Sequence, residues 1–459
     1  MTGTSLLKIP NEISKFFLIK ENQTLLVKGG PGTGKTTLAL KILGVLTTPK
    51  CGIYYTTKIT SEKIYGRYPW VKKLLPPQNI VDITKTPQTL THPSGGGGRE
   101  VLEYSFLPDF LRCLRLVVEE VKSRGQPFLV VDNFNSICKF LDIPIEKAAK
   151  ELIDFIQELN VKAVIVSEQT NEILESMVDG VIEMMYTFLE GRIFRKMLLK
   201  KLLGVEIKNP IYHFTLINSN FTYFPVVDLG DILKSVLKKP IYPKGKPLLG
   251  EMIDRSSISP EIPILLIELE TSSAREISYI LQALIVAILL GKGYSGIITP
   301  MRSEDAAKFL TPHTDMAKKF LNNVRFLYPR IKREDEKPQS FINTIQENIN
   351  ELKKENKGPI FLILRYDLLR KILGDETARR IVKEITLSNM VKNDVCIVIT
   401  SKSDKIDIEE LERSSSTIIK VFEEHGRIFC YGEKPYTQIY GILFQEKENH
   451  IEINLTPMV

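Results

Sequence analysis

One glycine-rich turn constrains this chain more than any other feature of its 459 residues. Gly29-Gly30-Pro31-Gly32-Thr33-Gly34-Lys35-Thr36-Thr37 fits the phosphate-loop pattern G-x-x-x-x-G-K-[ST]. The pattern carries meaning only between a strand and a helix. Thr24 to Lys28 reads as that strand and Lys35 to about Leu43 as that helix. Each residue type has a physical task. Glycines permit positive φ and let backbone N–H groups approach phosphate closely, and the positive end of the helix points into the same nest. Lys35 is expected to stabilise charge on the β- and γ-phosphates, Thr36 to ligate Mg²⁺, and Thr37 to add a hydroxyl at the α-phosphate.

Such a loop needs a carboxylate to steady its metal. The apolar run Phe128 to Val131 delivers Asp132 to a strand end, which predicts Asp132 as the second Mg²⁺ ligand.

Around these motifs the first half alternates strand-like and helix-like segments, the sign of a parallel α/β sheet. Gly52 to Thr57, Ile80 to Ile83, Phe128 to Asp132 and Ala163 to Ser167 read as further strands. Helices are expected near Phe106 to Ser123 and Ile145 to Leu159, with a serine–glycine loop at Ser94 to Gly98 between strand and helix. Gly180 to Thr187, Ile193 to Leu199 and Tyr212 to Ile217 predict an antiparallel extension. A Lys- and Pro-rich stretch then interrupts the pattern. The domain reading is 1–233 for the nucleotide-binding α/β domain, 234–262 for a linker and 263–459 for a second α/β domain.

The halves compare with each other. "PFLVVDNFNSICKFL" resembles "PIFLILRYDLLRKIL", and "GRIF" occurs at 191–194 and again at 426–429, which points to a duplicated fold. The second half has no phosphate loop. After the strand Ile264 to Leu269 stands "ETSSAREISY", with Ala274-Arg275 in place of Gly-Lys, and its counterpart of Asp132 is ambiguous around Arg365 to Asp367.

The ordered series "LLVKGGPGTGKTTLALKIL", "GIYYTTKITSEKI", "PFLVVDNFNSI", "VSEQ" and "DGVIEM…GRIFRKMLLKKLLG" resembles the KaiC-like branch of the RecA superfamily through about residue 225. Within it, "YYTTKITSEKIYGRYPW" is similar to the archaeal GvpD-like group of gas-vesicle regulators. The resemblance implies a RecA-like P-loop NTPase domain followed by a degenerate RecA-like domain without a P-loop. It also implies ATP and Mg²⁺ at the loop and a homo-oligomer with ATP between neighbouring subunits. Two departures weaken catalysis. The family's water-activating glutamates fall on Lys58 and Ile59, neither able to act as a base. Its K-x-R-G, which reaches the neighbouring subunit's ATP, appears as Lys201-Leu202-Leu203-Gly204, so Lys201 keeps the trans contact while the arginine is lost. Glu62 and Glu168 are candidate substitutes for the base, Arg192 and Arg195 for the arginine.

Composition narrows the remaining classes. Five scattered cysteines without CxxC spacing and five histidines argue against a zinc centre or a disulfide framework. No apolar run reaches the ~18 to 20 residues of a membrane span, and Ile277 to Leu290 reads as a buried helix, so a cytoplasmic protein without a membrane partner is expected. Net charge +7 permits a nucleic-acid or acidic partner without requiring one. The expected function is an ATP-binding regulatory protein, slow or deficient in hydrolysis, with nucleotide-controlled assembly or protein binding through 263–459. The alternative is a DNA-dependent ATPase related to recombinase paralogues, although Asn133 to Asp142 has little of the basic and aromatic interleaving of strand-binding loops.

Overall fold

The computed structural model describes residues 9–19, 22–48, 50–57, 60–82, 107–168, 172–236, 238–239, 241–243, 264–302, 323–329, 338–356, 358–389, 393–401 and 408–459. Its contacts divide the chain into two units, Met1–Phe224 with Met458–Val459, and Pro225–Pro457.

In the first unit, β1 (Thr24–Lys28), β2 (Gly52–Thr56), β3 (Ile80–Asp82), β4 (Phe128–Asp132) and β5 (Lys162–Ser167) form a parallel core. β6 (Gly180–Leu189) runs parallel to β1 and antiparallel to β7 (Arg192–Leu202), and β8 (Ile211–Thr215) and β9 (Thr222–Tyr223) continue the antiparallel side. The nine-stranded order is β3-β2-β4-β5-β1-β6-β7-β8-β9. β1 and β4 are buried throughout, as continuous apolar runs covered on both faces must be.

Successive side chains leave opposite faces of a strand, and two cores result. Leu25, Val27, Tyr54, Phe128 and Val130 share one with α1 (Asn11–Ile19) and α2 (Lys35–Leu46). Leu26, Ile53, Tyr55, Leu129 and Val131 share the other with α4 (Leu107–Lys122), α5 (Phe134–Leu141) and α6 (Ile145–Glu158). Two shorter helices, α3 (Ser61–Arg67) and α7 (Glu172–Met177), follow β2 and β5. The expected loop at Ser94 to Gly98 lies outside the described residues, as do Lys58 and Ile59.

The second unit is also a mixed α/β sheet. Its strands are β10 (Ile241–Pro243), β11 (Ile264–Glu270), β12 (Ser295–Thr299), β13 (Val324–Phe326), β14 (Ile360–Arg365), β15 (Val395–Ser401), β16 (Thr417–Glu424), β17 (Arg427–Lys434), β18 (Tyr440–Glu446) and β19 (Ile451–Pro457). The order is β13-β12-β14-β15-β11-β16-β17-β18-β19-β10. Strand for strand this repeats the first sheet, with β10 added at one edge. α8 (Leu229–Val236) and β10 belong to this unit, so part of the stretch read as linker is structured. α9 (Ala274–Gly291) is long and apolar enough to cross a membrane by composition, yet 61 % of its apolar window is buried, packed on β11. The described cysteines Cys51, Cys138, Cys396 and Cys430 are free and buried, as small core residues.

Candidate functional site

The turn after β1 and the end of β4 meet at the carboxyl edge of the parallel strands, where open α/β sheets bind ligands. β5 lies between β1 and β4, so Glu168, the residue after β5, emerges between the loop and Asp132.

Backbone geometry explains the loop's glycines. Gly29 has φ 151°, and a Cβ there would stand 2.1 Å from the Met184 carbonyl oxygen on β6. Gly32 (φ 72°) and Gly34 (φ 97°) take the left-handed region that side chains disfavour. Gly34 is the N-cap of α2 and no side chain caps the helix, leaving its first N–H groups open to an anion. Gly30, Pro31 and Gly32 are exposed, while Thr33 is buried with its hydroxyl on the Gly30 carbonyl at 2.9 Å. Lys35 is 7 % exposed and donates from Nζ to the same carbonyl at 2.7 Å. Burial lowers its pKa, opposed by the charges of Glu168 and Asp132. An ammonium held on a neutral oxygen at the rim of a phosphate nest is placed to move onto a phosphate, a stronger acceptor.

Asp132 forms a tight oxygen cluster. Its Oδ2 accepts from the Thr36 hydroxyl at 2.7 Å and from the Tyr54 hydroxyl at 2.6 Å. Burial raises the carboxyl's pKa against those two hydrogen bonds and the charge of Lys35. A hydroxyl and a buried carboxylate side by side are the hard oxygen donors that Mg²⁺ selects, and a cation there would offset the desolvated charge. The residues fit the metal. Tyr54 was not expected from sequence: it faces the site because β2 pairs with β4 so that Thr56 lies opposite Asp132. Thr37 is buried, with its hydroxyl 3.3 Å from that of Tyr68.

Of the two candidate bases, Glu168 stands in the electrostatic field of both Lys35 and Asp132. Its amide is fixed by Asn135 Oδ1 at 3.1 Å, which also accepts from the Ser167 hydroxyl at 2.7 Å. Glu62 lies on α3 and is exposed. The cavity of about 370 Å³ bounded by Cys138, Lys139, Asp142 and Ile143 reaches this network only through Asn135. The phosphate loop itself is an open surface turn.

The basic residues of β7 divide by what they touch. Lys201 donates to the Val178 carbonyl at 2.6 Å and the Glu175 carbonyl at 3.3 Å, at the end of α7 in its own chain. Arg192 donates to the Glu190 carbonyl at 2.8 Å, bracing the β6–β7 turn. Arg195 donates to the Gly32 carbonyl of the phosphate loop at 2.9 Å.

The second unit keeps the framework and reverses the charges. Lys28 at the end of β1 pairs across the ladder with Glu183; the matching pair on β11 and β16 is Glu268 with Lys420. Counting from the ladder through β15 and β14, the place of Asp132 falls on Arg365, which is bound to Asp367 at 2.9 and 3.1 Å. That resolves the ambiguity left by sequence: a guanidinium stands where the metal carboxylate would.

Residues 13–200 match the family model for the GvpD gas vesicle protein, P-loop domain. Protein GvpD2 of Halobacterium salinarum is 31 % identical over 230 residues, a match covering 48 % of this chain and 45 % of that protein. Protein GvpD1 of the same organism is 27 % identical over 235 residues, covering 49 % and 42 %. The chain thus spans under half the length of the curated relatives it matches. With its loop and its paired Thr36 and Asp132, the first unit is similar to the GvpD P-loop domain over residues 13–200.

Proposed function

We propose that the first unit binds Mg-ATP at Gly29 to Thr37, with Thr36 and Asp132 holding the metal, and that the protein acts as a nucleotide-controlled regulator. The observation that carries this reading is the 2.7 Å contact between Thr36 and Asp132 beneath an uncapped helix N-terminus. Thr36 and Asp132 would hold Mg²⁺, which would supply neutralisation of phosphate charge. Lys35 would exchange the Gly30 carbonyl for a phosphate oxygen, and the open amides at the start of α2 would orient the anion. Tyr54 holds the carboxylate in place through its hydroxyl.

Hydrolysis is slow in this proposal. An efficient site needs a positioned base and a cation at the transferred phosphate. Among the described residues, Glu168 is the one carboxylate besides Asp132 felt by Lys35, and it is exposed. The second unit is proposed as a degenerate RecA-like copy used for assembly or for a protein partner. Its support is the repeated strand order, together with Arg365 at the metal position. Regulation of gas-vesicle production in the manner of the GvpD-like group is part of the same proposal, as are homo-oligomerisation and the trans contact of Lys201.

Sedimentation with and without Mg-ATP, alongside phosphate release, tests the whole reading. The expected result is a nucleotide-dependent change of mass or partner binding with turnover well below ~1 s⁻¹. Turnover above that rate, with no change in assembly or partner affinity, overturns it in favour of a working ATPase.

A further inference from the structure

Arg195 ties the phosphate loop to a distant piece of chain. It is 9 % exposed, and no Asp or Glu side chain among the described residues forms an ion pair with it. Its two hydrogen-bond acceptors are backbone oxygens: Nη1 donates to Gly32 at 2.9 Å and Nε to Val459 at 2.6 Å. The Tyr186 ring lies 5.5 Å from the guanidinium. The Arg195 amide donates to Met458 Sδ at 3.1 Å, and the Val459 amide to the Thr215 hydroxyl at 3.3 Å. Met458 and Val459 therefore dock in the first unit through β7 and β8, with Met458 2 % exposed.

The geometry has a direct consequence for the loop. A trans peptide points its C=O and the next N–H in opposite directions. With the Gly32 carbonyl held toward β7, the Thr33 N–H is turned away from that strand.

Comparison within the chain separates this residue from its basic neighbours. Lys201 recurs as Lys434, which donates to the Ser415 carbonyl at 2.6 Å beside the same β-bulge. Arg192 recurs as Arg427, which donates to the His425 carbonyl at 2.8 Å. Both contacts thus persist in a unit without a phosphate loop. Arg195 pairs with Tyr186 four residues from the bulge; in the shorter hairpin of the second unit the same step from the bulge pairs Ile428 with Glu423, and the three-residue step from the turn arginine falls on Cys430. The arginine is present only beside the phosphate loop.

We propose that Arg195 is a positioning residue of the nucleotide site: it fixes the Gly32–Thr33 peptide for phosphate and is itself fixed by Met458–Val459. Docking of that segment and nucleotide binding then strengthen each other, since coupling between sites is reciprocal. This rests on the reading of Gly29 to Thr37 as a nucleotide site.

The test measures the Kd of Mg-AMP-PNP for the full chain, Arg195→Ala, Arg195→Lys, a variant lacking residues 458–459, and the Arg195→Ala deletion double. In parallel, the ¹³C-methyl NMR signal of Met458 is followed without nucleotide. Arg195→Ala should weaken binding about ten-fold, the size of one lost charge-assisted hydrogen bond, while the unfolding midpoint of the protein changes little. Arg195→Lys should recover part of the loss, because it keeps the charge without the fork. The deletion should weaken binding a few-fold and add nothing to Arg195→Ala. The Met458 signal should leave its docked shift in Arg195→Ala. A Kd for Arg195→Ala within about two-fold of the parent, additive effects in the double variant, or an unmoved Met458 signal overturns the proposal. Should Arg195→Ala fail to fold, Arg195→Lys and the deletion carry the same comparison. If even the parent chain binds no Mg-AMP-PNP, the nucleotide reading falls and the positioning role with it. The Met458 signal then decides separately whether Arg195 holds the segment.

Discussion

Replacing Asp132 by Asn should affect stability and ligand binding in opposite directions. The substitution keeps the shape and an acceptor for the Tyr54 and Thr36 hydroxyls, now 2.6 and 2.7 Å from the carboxylate, and deletes the charge. Burial raises the pKa of Asp132 even with those hydrogen bonds and Lys35 opposing it. A carboxyl whose folded pKa lies above its unfolded value costs stability as pH rises through that interval, and the cost persists above it. At neutral pH the nucleotide-free Asn variant should therefore be the more stable protein. Relief of a functional-site penalty of this kind is worth roughly 0.5–2 kcal/mol, or about 2–4 °C per kcal/mol for a unit of this size. With Mg-AMP-PNP at about 100 times Kd the parent gains about 2.7 kcal/mol from binding, and the variant should gain little because the metal has lost its charged ligand. Thermal unfolding with and without Mg-AMP-PNP reads both effects. Melting of the nucleotide-free variant far below the parent would show Asp132 to be a structural hydrogen-bond centre. An undiminished ligand shift in the variant would remove it from the metal site.

Tyr54→Phe leaves Asp132 with the Thr36 hydroxyl alone and so raises the carboxyl's pKa further; Mg-AMP-PNP affinity should then be lost at a higher pH on acidification, and an unchanged pH profile contradicts this. Glu268 has no hydrogen-bond partner on either carboxylate oxygen among the described residues, and burial, opposed by Lys420, lifts its pKa to about 7. Stability from that group is complete below its ordinary value near 4.5 and is lost as pH rises through about 7. Glu268→Gln should flatten the pH dependence of unfolding and stabilise the protein at pH ~8 by on the order of 2 kcal/mol; a variant with the parent's pH slope refutes the assignment. Lys201→Met and Lys434→Met should each lower stability by about 1 kcal/mol through a lost carbonyl contact. Loss of nucleotide turnover in assembled Lys201→Met at unchanged stability would instead support the trans contact.

Much of the first unit was legible in sequence because its signals are local. The phosphate loop needs only its neighbouring strand and helix, and the run Phe128 to Asp132 announces both a buried strand and a carboxylate at its end. The antiparallel extension was readable from alternating segments after Gly180. What sequence could not supply was lateral order. Tyr54 reaches Asp132 because β2 and β4 are adjacent and in one register, a pairing across 78 residues of chain. Arg195 meets Gly32 across 163 residues and Val459 across 264, so neither contact leaves a local pattern. The charge reversal at Glu268, Lys420 and Arg365 likewise appears only when the two ladders are counted position by position. Lys201 illustrates the converse: its presence was legible, whereas its bond to the end of α7 depends on the fold.

The central claim is that Gly29 to Thr37 is a nucleotide site. Calorimetric titration of Mg-AMP-PNP into the full chain and into Lys35→Ala tests it most directly. Saturable one-site binding that Lys35→Ala weakens by ten-fold or more, on the order of 1.4 kcal/mol, is the predicted result. Absence of binding, or equal affinity in the two proteins, would contradict it.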